Sequence, residues 1–358
     1  MAIPTEPIGS IPRPVELLAA MGERAAGKIS DEQLHAAEED ALRDTIQRLE
    51  ATGSPVLSDG EQTKPSFATY PLTGIQNLSP DGVTIPFADG HTRQLPCLTK
   101  GPFRYGIHAA QYLKAAQKLT RRPVKQAVIS ASALSLLYPP EGLNGYSREA
   151  FLGDLIQQAV VDIGDCLVAG AACVQIDFTE ARLSLKLDPS GGLLNSFIEL
   201  NNRVLGHFSD NERKRIGVHT CPGGDRDSTH SADVDYASLL PALFQMKVGR
   251  FYVQLASEPN RRRVLEALHT LLKPGQLLFV GVTDPISPAI ESPETVRDRV
   301  LEAAEFLPVE LSAQPTIAAS LLLPTIRLRR ERRLSRKSRA VSKELPWRQR
   351  HWQCRVKL

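Results

Sequence analysis

The sequence predicts a single (β/α)8 barrel of the TIM type, on three observations. Short runs rich in β-branched residues alternate with longer amphipathic stretches across about 310 residues, the pattern of repeated βα units. That length suits one barrel. Side chains with chemistry to offer fall at or just past the ends of separate runs: Asp59 and Glu61, Asp177, His219 and Cys221, Gln254 and Glu258, and Asp284. A barrel gathers such strand ends on one catalytic face, whereas the alternative, an open doubly wound sheet, strings them along a crevice.

Taken in order, the candidate strands are residues 3–8, 55–58, 125–130, 173–178, 216–220, 251–256 and 277–283. The helices between them carry start and stop signals. Ser30 with Gln33 forms a capping box ahead of apolar positions at Leu34, Ala41, Leu42, Ile46 and Leu49, and Gly53 closes that helix. Ser147 caps a long helix that ends near Gly170, and Ser292 precedes a helix with Pro293 at its first position. Residues 70–106 are rich in Gly and Pro and only weakly periodic, and read as an insertion over the barrel mouth, a β-hairpin lid.

With 42% hydrophobic and 23% charged residues the chain is globular, and no apolar run approaches the roughly 18 to 20 residues that span a bilayer. The start, MAIPTEPIGSIPRP, lacks the basic-then-apolar plan of a secretory signal, so a cytoplasmic location and no membrane partner are expected. Five scattered cysteines (Cys97, Cys166, Cys173, Cys221 and Cys354) are unlike a disulfide framework, and are expected as reduced thiols. Net charge is uneven. Residues 311–358 hold 13 of the 43 Lys and Arg but two of the 40 acids, which leaves a body with 30 basic and 38 acidic residues.

His219 and Cys221 are two residues apart at a strand end, so an extended backbone turns both to one face. Such a pair suits half of a metal site, and suits equally a hydrogen-bonded histidine beside a buried thiol. Asp177 ends an apolar strand, with Glu180 and Arg182 close behind. It is a candidate catalytic residue, able to hold a substrate ammonium or act as a base, or else a carboxylate paired with Arg182. Asp59 and Glu61 flank a glycine in SDGEQ, a binding loop in a barrel and a plain turn elsewhere. Ile8, Gly9 and Ser10 follow the first strand and offer backbone N–H groups and a hydroxyl to a carboxylate.

Together and in this order, PIGSIPRP, SDGEQ after the second strand, QIDFTEARL after the fifth, GVHTC after the sixth and VGVTDPISPAIESPETVRDRV at the eighth resemble the catalytic barrel of cobalamin-independent methionine synthase and its single-barrel relatives. The resemblance covers residues 7–309. It implies a methyl transfer from a methyltetrahydrofolate-type donor to a small thiol such as homocysteine, with Zn2+ as cofactor held in part by His219 and Cys221. It implies that Glu61 and Asp177 hold the substrate amino group and that Ile8, Gly9 and Ser10 meet its carboxylate. Alkyl transfer to another thiol such as coenzyme M, or an inactive barrel kept for binding, are the alternatives.

Three departures from the family pattern stand out. Its zinc-ligand glutamate falls on Gln254, with Glu258 a possible stand-in, and its catalytic histidine falls on Ile286. Residues 1–310 form the barrel, but residues 311–358 form a basic tail without the family's D-C-G cysteine; Cys354 stands far from that place. Back-translating Leu311 onward and starting at each third codon position permits LGTTDDCGFSPF, the ending the family expects. The tail is therefore read as frameshifted near residues 309–312 and poorly ordered, and its arginines as out-of-frame codons rather than a nucleic-acid surface.

Overall fold

The computed structural model describes residues 5–225, 228–284, 286–287 and 289–307, and the backbone of 317–321. Seven strands form one parallel sheet in the order Thr5–Pro7, Ile317–Leu321, Leu277–Gly281, Arg250–Gln254, Ile216–His219, Val174–Asp177 and Gln126–Ile129. Leu57 supplies the eighth member of the wall. It makes a parallel bridge to Val124, donating to Pro123 O at 2.9 Å and accepting from Lys125 N at 2.8 Å. Its flanks reach the first strand: Ser54 Oγ donates to Thr5 O at 3.3 Å, Ser58 Oγ to Gly9 O at 3.1 Å, and Ile11 N to Gly60 O at 3.0 Å. The circle closes as a (β/α)8 barrel.

Each predicted strand is present, though most are shorter than expected, and residues 55–58 reduce to the single bridge at Leu57. The strand count shifts by one. Asp177, His219, Gln254 and Leu277–Gly281 belong to the fourth, fifth, sixth and seventh wall positions, and Ile317–Leu321 takes the eighth. That segment falls in the stretch expected to be a poorly ordered tail. Instead Ala319 pairs with both Val280 and Thr5. Main-chain pairing depends little on side-chain identity, so a short apolar segment can fill the slot. The rest of residues 308–358 lies outside the described residues.

The helices start where their caps direct. Ser30 and Gln33 form the capping box of Asp31–Ala51, Ser147 caps Arg148–Val168, and Ser292 caps Pro293–Phe306. Strand alternation then sorts the side chains. Phe251 and Val253 face the helices, where Phe251 stacks on Phe244 at 4.2 Å, while Arg250, Tyr252 and Gln254 face the lumen. Gly217 is required opposite them, because a Cβ there would meet the Tyr252 ring at 2.7 Å.

The amino-terminal end of the lumen is filled. Tyr252 stacks on Phe279 at 4.5 Å and donates to Glu6 Oε2 at 2.9 Å, and the Lys125 ammonium lies 3.9 Å from the Tyr252 ring centre. Among the described residues, this packing leaves the opposite end of the lumen to admit a ligand. Across it lies the predicted hairpin, with Leu78–Ser79 paired to Cys97–Leu98 and Thr84–Pro86 to Thr92–Gln94. Its tip rests on the loop after the His219 strand: Ala88 N donates to Thr229 O at 2.9 Å, His91 Nε2 lies 3.1 Å from Asp225 Oδ2, and Arg93 pairs with Asp225. Among the described residues no helix is long and apolar enough to cross a membrane, and Cys97, Cys166, Cys173 and Cys221 are free thiols. Cys354 lies outside the described residues.

Candidate active site at the carboxyl ends of the strands

The loop after Leu57 buries Asp59, Glu61 and Gln62. Gly60 and Glu61 both have left-handed φ, 61° and 57°, a conformation that costs a non-glycine residue about 1 kcal/mol or more. Local bonds hold it: Gly60 N donates to Ser58 Oγ at 3.3 Å and Glu61 N to Asp59 Oδ1 at 3.0 Å. The turn aims the Glu61 carboxylate inward, 3.3 Å from Lys64 Nζ.

Lys64 was not singled out by the sequence reading, and its side chain is wholly buried. It donates to Ala127 O at 2.8 Å and lies 4.9 Å and 5.8 Å from the ring centres of Tyr70 and Tyr112. Burial works against its charge, yet Glu61, Asp59 and Asp177 outweigh that and hold its pKa above the ordinary lysine value. Burial raises the Glu61 pKa, and Lys64 opposes the rise while Asp177 and Asp59 add to it. The cluster thus contains three carboxylates around one ammonium, an electron-rich end suited to a second cation.

Asp177 stands directly across from His219 in the parallel register. Its Oδ1 lies 3.1 Å from His219 Nδ1 and accepts from Gln175 Nε2 at 2.8 Å. The reading that pairs Asp177 with Arg182 is replaced. Arg182 binds Glu258 at 2.7 Å and donates to Val234 O at 2.9 Å and Ala232 O at 3.1 Å. Helix Glu180–Leu187 carries it away from the lumen toward those segments.

Thr220 meets Tyr236 OH at 2.5 Å on the outer side of the wall, which leaves its neighbours His219 and Cys221 to the other side. Cys221 Sγ accepts from Gly223 N at 3.4 Å, and burial pushes the thiol up to about 11. Ile8 packs against the Cys173, Tyr252 and Phe279 cluster, Gly9 is buried and Ser10 is exposed, all just past the first strand. Asp284 is used locally, accepting from Ile286 N at 2.9 Å.

The sequence profile of the family described as cobalamin-independent synthase, catalytic domain, matches residues 3–315. The chain belongs to that family. A 5-methyltetrahydropteroyltriglutamate–homocysteine methyltransferase of Aeromonas salmonicida (strain A449) is 23% identical over 312 residues, spanning 86% of this chain but 39% of that protein. A methionine synthase of Pyrococcus furiosus is 24% identical over 352 residues, spanning 96% and 94%. The solved B12-independent methionine synthase of Shewanella sp. W3-18-1, in complex with selenomethionine, superposes with a TM-score of 0.68 at 19% identity and covers 94% of this chain and 100% of that one. This likeness extends to the fold.

Among the described residues no group of three or more His, Cys, Asp or Glu could hold a metal ion. Gln254 turns its Nε2 to Ser257 Oγ and leaves Oε1 buried without a partner. Glu258 cannot stand in, because both its oxygens engage Arg182. Two donors and a neutral amide oxygen fall short of the four ligands zinc ordinarily takes, so these residues do not fit zinc as a complete site.

The synthase-family barrel also holds a carboxyl to which the sequence reading gave no role. Glu180, the first residue of its helix, is buried between the ends of the fourth and third strands. Ser130 Oγ donates to its Oε1 at 2.6 Å and Ser132 Oγ donates to the same oxygen. Burial, against the opposing bonds from these serines, raises its pKa to about 7. The signal available in the sequence was the spacing DFTE, which places a second carboxyl three residues after Asp177.

Proposed function

We propose that the open end of the barrel binds a small amino-acid thiol, most simply homocysteine, and methylates it from a methyltetrahydrofolate-type donor. The observation that carries this reading is the acidic cluster of Glu61 and Asp177, with Asp177 in contact with His219. A substrate ammonium would add the second cation the cluster lacks, and the backbone and hydroxyl of Ile8, Gly9 and Ser10 would meet the carboxylate. That arrangement directs the thiol toward His219 and Cys221. The names of the Aeromonas and Pyrococcus relatives support the same chemistry.

For zinc we propose a half-site only, His219 and Cys221, which needs further donors from outside the described residues. We also propose that the tail from about residue 311 is out of frame, and that the restored frame returns the cysteine of the D-C-G motif. The Gln254 and Ile286 departures favour a second reading, a barrel that passes an alkyl group to another thiol such as coenzyme M or binds without turnover. A cytoplasmic location fits either reading.

The test is methyl transfer from 5-methyltetrahydrofolate, as mono- and triglutamate, to homocysteine and to coenzyme M, by the chain as written and by the frame-restored chain. Homocysteine-dependent formation of methionine supports the proposal. Turnover with coenzyme M alone, or with neither thiol in the frame-restored chain, sinks it.

A further inference from the structure

Arg13 stands between Pro12 and Pro14, just past the Ile8–Ser10 segment. Each proline ring fixes its own φ, and a residue before proline is held extended, so this stretch is stiff. Helix Val15–Ala25 follows at once and buries Leu17, which anchors the far end. From that support the guanidinium crosses to a loop 48 to 51 positions away in sequence. Its Nε donates to Gln62 O at 3.4 Å, and Nη2 donates to Glu61 O at 3.3 Å and to Lys64 O. One side chain thus gathers three carbonyls of the turn that aims Glu61. A planar fork of five N–H donors can do this, whereas a lysine ammonium is a single point charge.

The turn needs such a holder, because Glu61 keeps a left-handed φ that a side chain disfavours. Further bonds join it to the first-strand segment. Ile11 N donates to Gly60 O at 3.0 Å, Gln62 Nε2 to Ile11 O at 3.0 Å, and Ser58 Oγ to Gly9 O at 3.1 Å. Gly9 in turn faces Gln175: a Cβ on Gly9 would sit 3.9 Å from Gln175 Nε2, the amide that donates to Asp177 Oδ1 at 2.8 Å. Residues 8–13, Glu61 and Asp177 therefore form one connected frame. Within it Arg13 supplies the charge-assisted bonds to the Glu61 turn.

We infer that Arg13 is a positioning residue that fixes the Glu61 carboxylate relative to the Ile8–Ser10 backbone, and that this spacing selects thiol acids bearing an α-amino group. The role rests on the amino-acid reading of the same face. Arg13 acts through Glu61 and needs no contact with the substrate. Loss of the clasp frees the turn that carries Glu61, while the Ile8–Ser10 segment keeps its bond from Ser58 and its stiff continuation.

Calorimetry on Arg13→Ala, with homocysteine and with the same thiol acid lacking the amino group, tests this. Homocysteine should bind about 10- to 100-fold more weakly than to the parent, the scale of a misplaced binding group, and the deaminated acid should bind nearly as before. Guanidinium chloride at millimolar concentration, far below what unfolds a protein, should restore part of the lost preference. Arg13→Lys keeps the charge and the stem but cannot span three carbonyls, so it should lose the preference in a chain that folds as the parent does. Equal weakening of both acids, or a preference unchanged in both variants, overturns the inference. Amide exchange without substrate separates it from the functional reading: Gly60 and Glu61 should exchange faster in Arg13→Ala than in the parent. Unaltered exchange overturns the clasp, whereas faster exchange in a barrel whose parent binds neither acid overturns the amino-acid reading instead.

Discussion

Asp177 Oδ1 lies 3.1 Å from His219 Nδ1 across two strands in register, so one carboxylate orients the imidazole and borders the acidic cluster. Carboxylate support of this kind sets a histidine's tautomer, and its loss commonly costs about 10- to 100-fold in affinity or activity. Asp177→Asn should weaken homocysteine binding on that scale and erase its advantage over the same thiol acid without the amino group. Calorimetry with the two ligands checks this. A preference for the amine that survives the substitution removes Asp177 from ammonium recognition.

Lys64 and Glu61 form a buried pair 3.3 Å apart. Breaking such a pair by removing one partner costs about 3 to 5 kcal/mol, because the other charge is stranded. Lys64→Met should lose stability on that scale in urea unfolding, and Glu61→Gln added to it should recover part of the loss. Equal stability of Lys64→Met and the parent would show that the ammonium holds nothing in place.

The hairpin tip reaches the loop after Cys221 through Asp225, which meets both His91 and Arg93. These groups are partly exposed, so Asp225→Ala should change global stability by no more than about 1 kcal/mol. Local opening should respond far more, with faster amide exchange in residues 84–94. Unaltered exchange there means the tip is held by Ala88 and Thr229 instead.

The chain as written should retain well under one zinc per chain after dialysis, and the frame-restored chain about one. Elemental analysis decides, and full zinc occupancy in the chain as written contradicts the half-site.

Glu180 also shapes stability. Its folded pKa of about 7 stands above the value of an exposed glutamate, so the folded state holds an extra proton between about 4.5 and 7. Stability is full below that window and falls as pH rises through it. Glu180→Gln should flatten that slope in unfolding measured from pH 4.5 to 7.5, and an unchanged slope assigns the effect elsewhere.

Much of the wall was legible because its signals are local. The Ser30–Gln33 box, the Ser147 and Ser292 caps and the β-rich runs each act within a few residues. The candidate strand at residues 55–58 misled, since its pairing narrows to Leu57 and the loop beyond is shaped by the left-handed pair Gly60 and Glu61. Partners distant in sequence were not legible. Arg182 and Glu258 are 76 positions apart, His91 and Asp225 134.

The sequence by itself determined the alternation of strands and helices, the caps and the family motifs. Those are properties of single residues and short spacings. The tertiary structure alone decided that Asp177 serves His219 rather than Arg182, that Glu258 is unavailable to a metal, that Lys64 lies inside the acidic cluster, and that Glu180 Oε2 is bare. Each depends on which groups share a water-poor space. In such a space the strength of a charge or hydrogen bond follows from its neighbours in three dimensions, and no spacing along the chain encodes them.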